Sequence, residues 1–221
     1  MPLYTRHCEP YPFSNDSWSK ETVRSLDIAV ASQNDYSRKV GLVIGAGSMP
    51  YIAPHLDLDE VYFADRRHKV MAGAIGRLLM MSEHDHWAVY RAAVSATLNT
   101  KDDTAYGIEW INTRILRRGF NETKAAVAGM AVHGLPGDIR ESAPQLGRDL
   151  ALGKATVSFV NFTNVASYLE SKIEDGRTQL KETVLDVLPM APDAIIVDSG
   201  YLCNSTIYRL AEYGSEVPAV R

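Results

Sequence analysis

The chain has 221 residues, 46% of them hydrophobic and 23% charged, with a formal net charge of −4. Length and composition are those of one globular domain, or of one domain with appended helices, and they exclude a disordered or fibrous chain. The acidic balance excludes a broad basic stripe of the kind that grips a phosphate backbone, and the pairs Arg66-Arg67 and Arg117-Arg118 are too isolated to reverse that, so no nucleic-acid partner is expected.

Cys8 and Cys203 have no metal-ligand spacing and cannot staple a scaffold. With no charged-then-apolar leader and no apolar run near the ~18 residues of a membrane span, the expectation is a cytoplasmic protein with free thiols, no metal and no membrane partner.

Residues 1–16 are irregular and aromatic, with prolines at 2, 10 and 12, and read as an arm; Tyr4, Tyr11, Phe13 and Trp18 suit closure over a ligand or simple packing. Ser17 or Ser19 can cap an amphipathic helix marked by Val23, Leu26, Ile28, Val30 and Ala31 and ending near Asn34-Asp35. Residues 1–38 thus form an N-terminal arm and helix. Lys39 to Ile44 is an apolar run closed by glycine, the pattern of a strand buried on both faces. Pro50 suits the first turn of a helix, which must be short because Pro54 follows, and Val61 to Asp65 makes the second strand. Strand, glycine loop, helix and strand within about 30 residues make a βαβ unit.

Helical composition then runs from His68 to Met81, from Trp87 to Leu98, from Tyr106 to Arg117 and from Asn121 to Ala128. This is more helix than one crossover needs and predicts a helical insertion at about 84–120. The run Glu83-His84-Asp85-His86 reads as a polar junction between helices, since histidines two apart point to different sides of a helix. Gly129 to Leu135 is the third strand, with His133 expected to be a core histidine rather than one that faces a ligand, and Ala155 to Val160 is the fourth. A helix from about Asn164 to Leu188, interrupted at Gly176, and a fifth strand, Ala194 to Asp198, complete the pattern. The alternation predicts an α/β fold with a doubly wound, mostly parallel sheet. About twenty residues follow the fifth strand, too few for a terminal helix and a hairpin, so the sheet is expected to be shortened at its C-terminal edge. That edge or the insertion offers a surface for a homodimer.

In an open parallel sheet, ligands sit beyond the carboxyl ends of the strands. The residues there are Gly45, Ala46, Gly47 and Ser48, then Asp65 and Arg66, then Asp138 and Ile139, then Asn161 and Phe162, then Asp198 and Tyr201. Gly45 and Gly47 permit a tight turn and close approach of a ligand to backbone, and an acid twenty residues after Gly45 can accept from both hydroxyls of a ribose. An adenosine-like ligand follows. A dinucleotide loop requires a third glycine, and Pro50 stands there, which favours a ligand without a pyrophosphate.

The set VIGAGSMP, VYFAD, GDI and VSFVNF, in that order, resembles a class I, Rossmann-like S-adenosyl-L-methionine (SAM)-dependent methyltransferase over roughly residues 40–202. The resemblance implies a Rossmann-like SAM-binding domain over 39–221. It places Gly45, Ala46, Gly47 and Ser48 around the methionine part, Asp65, flanked by Arg66, on the ribose, Asp138 and Ile139 beside the adenine, and Asn161 and Phe162 near the sulfonium and the acceptor. Val43 stands where the family commonly has an acid and Met49 where it has a glycine. The loop GSMP is also similar to the G-S-G-P-L-P loop of nicotianamine synthases, which transfer the aminocarboxypropyl arm of SAM. Asn161-Phe162-Thr163-Asn164 resembles the N-P-P-Y/F loop of amine-methylating relatives but lacks both prolines, which disfavours a nucleic-acid base as acceptor; Asn164 more simply caps the next helix.

A small-molecule acceptor is therefore the expected partner. Methyl transfer needs an in-line nucleophile, and a protonated acceptor needs a base. Asp198 and Tyr201 are placed for that role, although Asp198 equally suits a cap for a following helix. An NAD(P)-dependent oxidoreductase, with Asp65 or Arg66 reading the ribose, and a non-catalytic binding protein of the same fold are the alternatives.

Overall fold

The computed structural model describes residues 20–44, 49–66, 68–98, 119–162, 165, 173–199 and 205–213. The N-terminal arm, the glycine loop 45–48, the expected helix at 106–117 and Tyr201 lie outside the described residues. In chain order the elements are α1 (Lys20–Ala31), β1 (Lys39–Ile44), α2 (Met49–Ile52), β2 (Glu60–Asp65), α3 (His68–Met80), α4 (Trp87–Leu98), α5 (Phe120–Ala128), β3 (Ala131–Pro136), α6 (Ile139–Leu152), β4 (Thr156–Asn161), α7 (Ile173–Thr183), β5 (Met190–Ser199) and β6 (Ser205–Arg209). No helix among the described residues is long and apolar enough to cross a membrane.

The strands form one sheet in the order β3-β2-β1-β4-β5-β6, with every neighbouring pair parallel except β5 and β6. The order reverses between β1 and β4, which puts the crevice of a doubly wound sheet at their carboxyl ends. Helices cover both faces. On one, Leu26 of α1, Met49 and Ile52 of α2, Leu78 of α3, Tyr90 of α4 and Val127 of α5 pack on Val43, Phe63, Phe159 and Val197. On the other, Ala143, Leu146 and Leu150 of α6 and Leu180 of α7 pack on Val40, Leu42, Val160 and Ile196. The strand residues of the two sets alternate, as the pleat demands. The expected α/β, doubly wound, mostly parallel Rossmann-like sheet with an N-terminal helix and inserted helices is what forms.

The boundaries differ in informative ways. Gly129 and Met130 close α5 rather than open β3, with the Gly129 and Met130 amides returning to Ala125 O and Val127 O. Gly176 does not interrupt α7: it is buried one turn before Leu180, on the same face. β5 begins at Met190, and an irregularity in its pairing with β4 between Val157 and Phe159 accommodates the stretch holding Pro192. The strand β6 is not anticipated at all. It pairs Ile195 through Ser199 with Arg209 through Ser205, so one antiparallel strand closes the shortened edge.

At the amino end of the strands, α1 is tied to β5 and β6. The Asp193 carboxylate accepts from Asn34 N, Asn34 Nδ2 and Tyr36 Oη, while the Arg209 guanidinium donates to Asp193 O, Ala29 O and Ser32 Oγ. The Glu83–His86 run is a polar junction, as expected, held by Lys124 Nζ donating to His84 O and Asp85 Oδ1. His133 is not a core residue. It lies on the exposed edge strand β3, stacked on Tyr62 with ring centroids 4.6 Å apart and 3.3 Å from the Glu60 carboxylate.

Candidate functional site

A cleft of about 240 Å³ opens at the carboxyl ends of β1 and β2, on the α6–α7 side of the sheet. Ile44 ends β1, Ala64 and Asp65 end β2 with Arg66 following, and Gly137 and Asp138 join β3 to Ile139 and Arg140 at the start of α6; Val165 and Leu180 close the far wall. Four of the residues expected at the site, Asp65, Arg66, Asp138 and Ile139, are brought together there.

The wall is built by short-range backbone rules. Gly137 has φ of 108°, a conformation that side chains with a Cβ rarely adopt, and it lets the chain leave β3 and enter α6 directly. Its N–H donates to Asp65 O at 3.1 Å, locking the two strand ends side by side. Asp138 then caps α6, its carboxylate accepting from Arg140 N at 3.0 Å.

The same carboxylate holds two guanidinium groups. Arg140 reaches it through Nε and Nη2, at 3.1 and 2.7 Å, and Arg66 pairs with Oδ2 through Nε and Nη2. Hydrogen bonds from Arg140, then those from Arg66, outweigh the desolvation of this mostly buried group and hold Asp138 far below the usual carboxylate range. Arg140 also donates to Gln179 Oε1 at 2.7 Å and so ties α6 to α7. Asp138 is thus a structural hub as well as a wall residue, and its oxygens are largely committed to protein donors. Arg140, which the sequence places in the loop after β3 without assigning it a role, lines the cleft as well; its position two after the cap is the signal that a cap-side ion pair was available.

One expected outcome follows. Asp138→Ala removes a cap and strands two arginines, and should lower stability by about 2 kcal/mol, or the melting temperature by about 4–8 °C. The pH sign is fixed by the depressed folded-state pKa. The contribution is complete above the unfolded carboxylate value near 4 and is lost progressively as the pH falls from there through the depressed folded-state value. The gap in thermal unfolding between wild type and Asp138→Ala should therefore narrow from pH 7 towards pH 2; a gap that stays constant over that range would contradict the assignment.

Three other expected residues, Asn161, Phe162 and Asp198, are described and do not line this cleft. Asn161 and Phe162 end β4 fully buried, and Phe162 stacks on Tyr213 in the α6–α7 core at 5.6 Å rather than lining the described cleft. Asp198, 1% exposed, ends β5 and accepts from Arg177 Nε at 2.8 Å. It does not cap a helix, because Asp198 and the residue after it, Ser199, both belong to β5. Arg177 lies 5.2 Å over the Tyr208 ring; burial alone would lower its pKa, and the Asp198 hydrogen bond and charge more than offset that. Gly45, Ala46, Gly47, Ser48 and Tyr201 lie outside the described residues.

The sequence matches no protein-family model and no curated protein. Among solved structures, the chain is similar to a precorrin-8W decarboxylase from Methanobacterium thermoautotrophicum, at 12% identity and a TM-score of 0.35, over 85% of this chain and 68% of that one. It is also similar to an rRNA methyltransferase from Streptomyces viridochromogenes, at 14% identity and a TM-score of 0.41, over 87% of this chain and 79% of that one.

Proposed function

We propose that the protein is a SAM-dependent transferase that moves a methyl group to a small-molecule acceptor. The observation that carries this reading is the antiparallel β6. A dinucleotide fold repeats the βαβαβ half twice, once for each nucleotide; among the described residues the strand beside β5 is antiparallel, where a second such half has its third parallel strand, which supports a single nucleoside-binding half. The described cleft agrees, since about 240 Å³ is below the roughly 300–1,000 Å³ of sites that enclose a whole drug-sized ligand and suits one nucleoside.

In this reading Asp65 accepts from the ribose hydroxyls, Ile139 packs beside the adenine, and the glycine loop Gly45 to Ser48 holds the methionine part. Asp138 acts through Arg66 and the start of α6, fixing the cleft wall rather than spending its oxygens on the ligand. The bound SAM supplies a methyl group on a sulfonium; the chain aligns the acceptor, with Asn161 and Phe162 ending the strand nearest the switch point. Asp198 and Tyr201 are the groups proposed to take a proton.

Asp65→Ala should weaken SAM binding by about 1–3 kcal/mol, roughly 5- to 150-fold, as loss of hydrogen bonds to a charged group predicts. Calorimetric titration of the folded variant checks this. An unchanged affinity removes Asp65 from the site, and analysis of products formed from SAM separates methyl from aminocarboxypropyl transfer.

A further inference from the structure

Among the described residues, the polar side chains that line the cleft are two carboxylates and two guanidinium groups, with no serine, threonine, asparagine or glutamine. Its side-chain acceptors there are therefore Asp65 and Asp138. Asp65 is the ribose residue of the proposed function, which leaves Asp138, beside Ile139, to meet the base.

A carboxylate has about four lone-pair sites. Asp138 Oδ1 accepts from Arg140 N at 3.0 Å and from Arg140 Nε at 3.1 Å, while Oδ2 accepts from Arg140 Nη2 at 2.7 Å, from Arg66 Nε at 3.1 Å and from Arg66 Nη2. Protein donors thus fill the group. Two nearby carbonyls are filled as well: Asp65 O takes the Gly137 N–H, and Asp138 O takes those of Glu141 and Ser142. An amino group entering this end of the cleft meets a carboxylate that is already committed. What the wall offers instead is N–H. Arg66 spends Nε and Nη2 on Asp138, its side chain is 65% exposed, and no described residue accepts from its Nη1.

Adenine and a 6-oxo purine differ at one edge, where an amino donor is replaced by a carbonyl acceptor. Arginine pairs with the oxygen and has nothing with which to accept from the amino group. Resting on the SAM reading of the cleft, we propose that its base end is a donor surface, set by Arg66, that takes a purine with oxygen at position 6 as readily as adenine. A cleft that read the amino group through a charged acceptor would favour adenine by about 10- to 150-fold. Here Arg66 occupies that acceptor, and the preference is absent.

Calorimetric titration of wild type and Arg66→Met tests this, with the demethylated product of SAM and with its deaminated counterpart, in which oxygen replaces the 6-amino group. Wild type should bind the 6-oxo form no more than about threefold more weakly than the adenine form. In Arg66→Met, whose folding is checked by thermal unfolding, Oδ2 regains a lone pair, and the ratio should move about tenfold towards adenine. A wild-type preference for the adenine form beyond threefold would overturn the proposal and leave the SAM reading standing, as would a ratio that Arg66→Met leaves unchanged. Binding of neither compound would overturn both. The wild-type ratio decides the proposal on its own should the variant fail to fold.

Discussion

Asp198→Ala should lower stability by about 3 kcal/mol, seen as a fall of about 6–12 °C in melting temperature. The carboxylate is buried and receives Arg177 Nε at 2.8 Å; the Arg177 side chain is only 24% exposed. Arg177 in turn lies over Tyr208 and sits near Tyr213, which stacks on Phe162. Removing Asp198 alone leaves a largely desolvated guanidinium in that ring cluster, and the cost comes mainly from the stranded charge. Two companions separate this from simple loss of volume. Asp198→Asn keeps shape and one acceptor and should lose about half as much, and Arg177→Met in the Asp198→Ala background should recover part of the loss, a coupling of about 1–3 kcal/mol in a double-mutant cycle. Chemical denaturation of the four proteins measures it. Additive effects would show that the pair does not hold α7 to the β5–β6 edge. If Asp198 also takes a proton during transfer, Asp198→Asn should fold and fail to turn over.

Gly147→Ala should be the next largest change, with a net loss of about 2 kcal/mol. Alanine normally improves a helix interior by about 1 kcal/mol. Here α6 crosses the turn Leu185–Val187 at such close range that a Cβ would lie 2.3 Å from the Val187 carbonyl oxygen and 3.3 Å from its carbon. Those are backbone atoms, so no rotamer change relieves the clash, and α6 must lift from the sheet that Leu146 and Leu150 cover. Gly76→Ala in α3 is the matched contrast. Nothing lies within 4 Å of its Cβ, and it should stabilise by about 1 kcal/mol. Opposite signs in equilibrium unfolding support the packing assignment; equal signs would contradict it.

The parallel core was legible because its strands advertise themselves. Val40 to Ile44, Val61 to Ala64 and Val157 to Val160 are apolar runs bounded by turn residues, and each pairs in the order that right-handed crossovers require. The edges were not. β6 is five residues, Ser-Thr-Ile-Tyr-Arg, half exposed and paired on one side, so its periodicity is too short and too mixed to separate from a loop. Pro192 hid the start of β5, because proline is expected to end a strand and is accommodated here beside an irregular pairing. Gly176 suggested a break that the packing of α7 overrides.

Within the site, positions were readable and partners were not. Asp65, Arg66, Asp138 and Ile139 each follow a strand, which chain order alone locates. That Arg66 would reach Asp138, 72 residues away, depends on β2 and β3 ending side by side, a tertiary fact with no local signature.

In the proposed function the cleft beyond β1 and β2 binds the nucleoside of SAM. Calorimetric titration of the purified protein with SAM, with its demethylated product and with NAD(H) tests it most directly. Saturable binding of SAM and of the demethylated product is expected, with no heat of binding for NAD(H); saturable NAD(H) binding in the absence of SAM binding would overturn the proposed function.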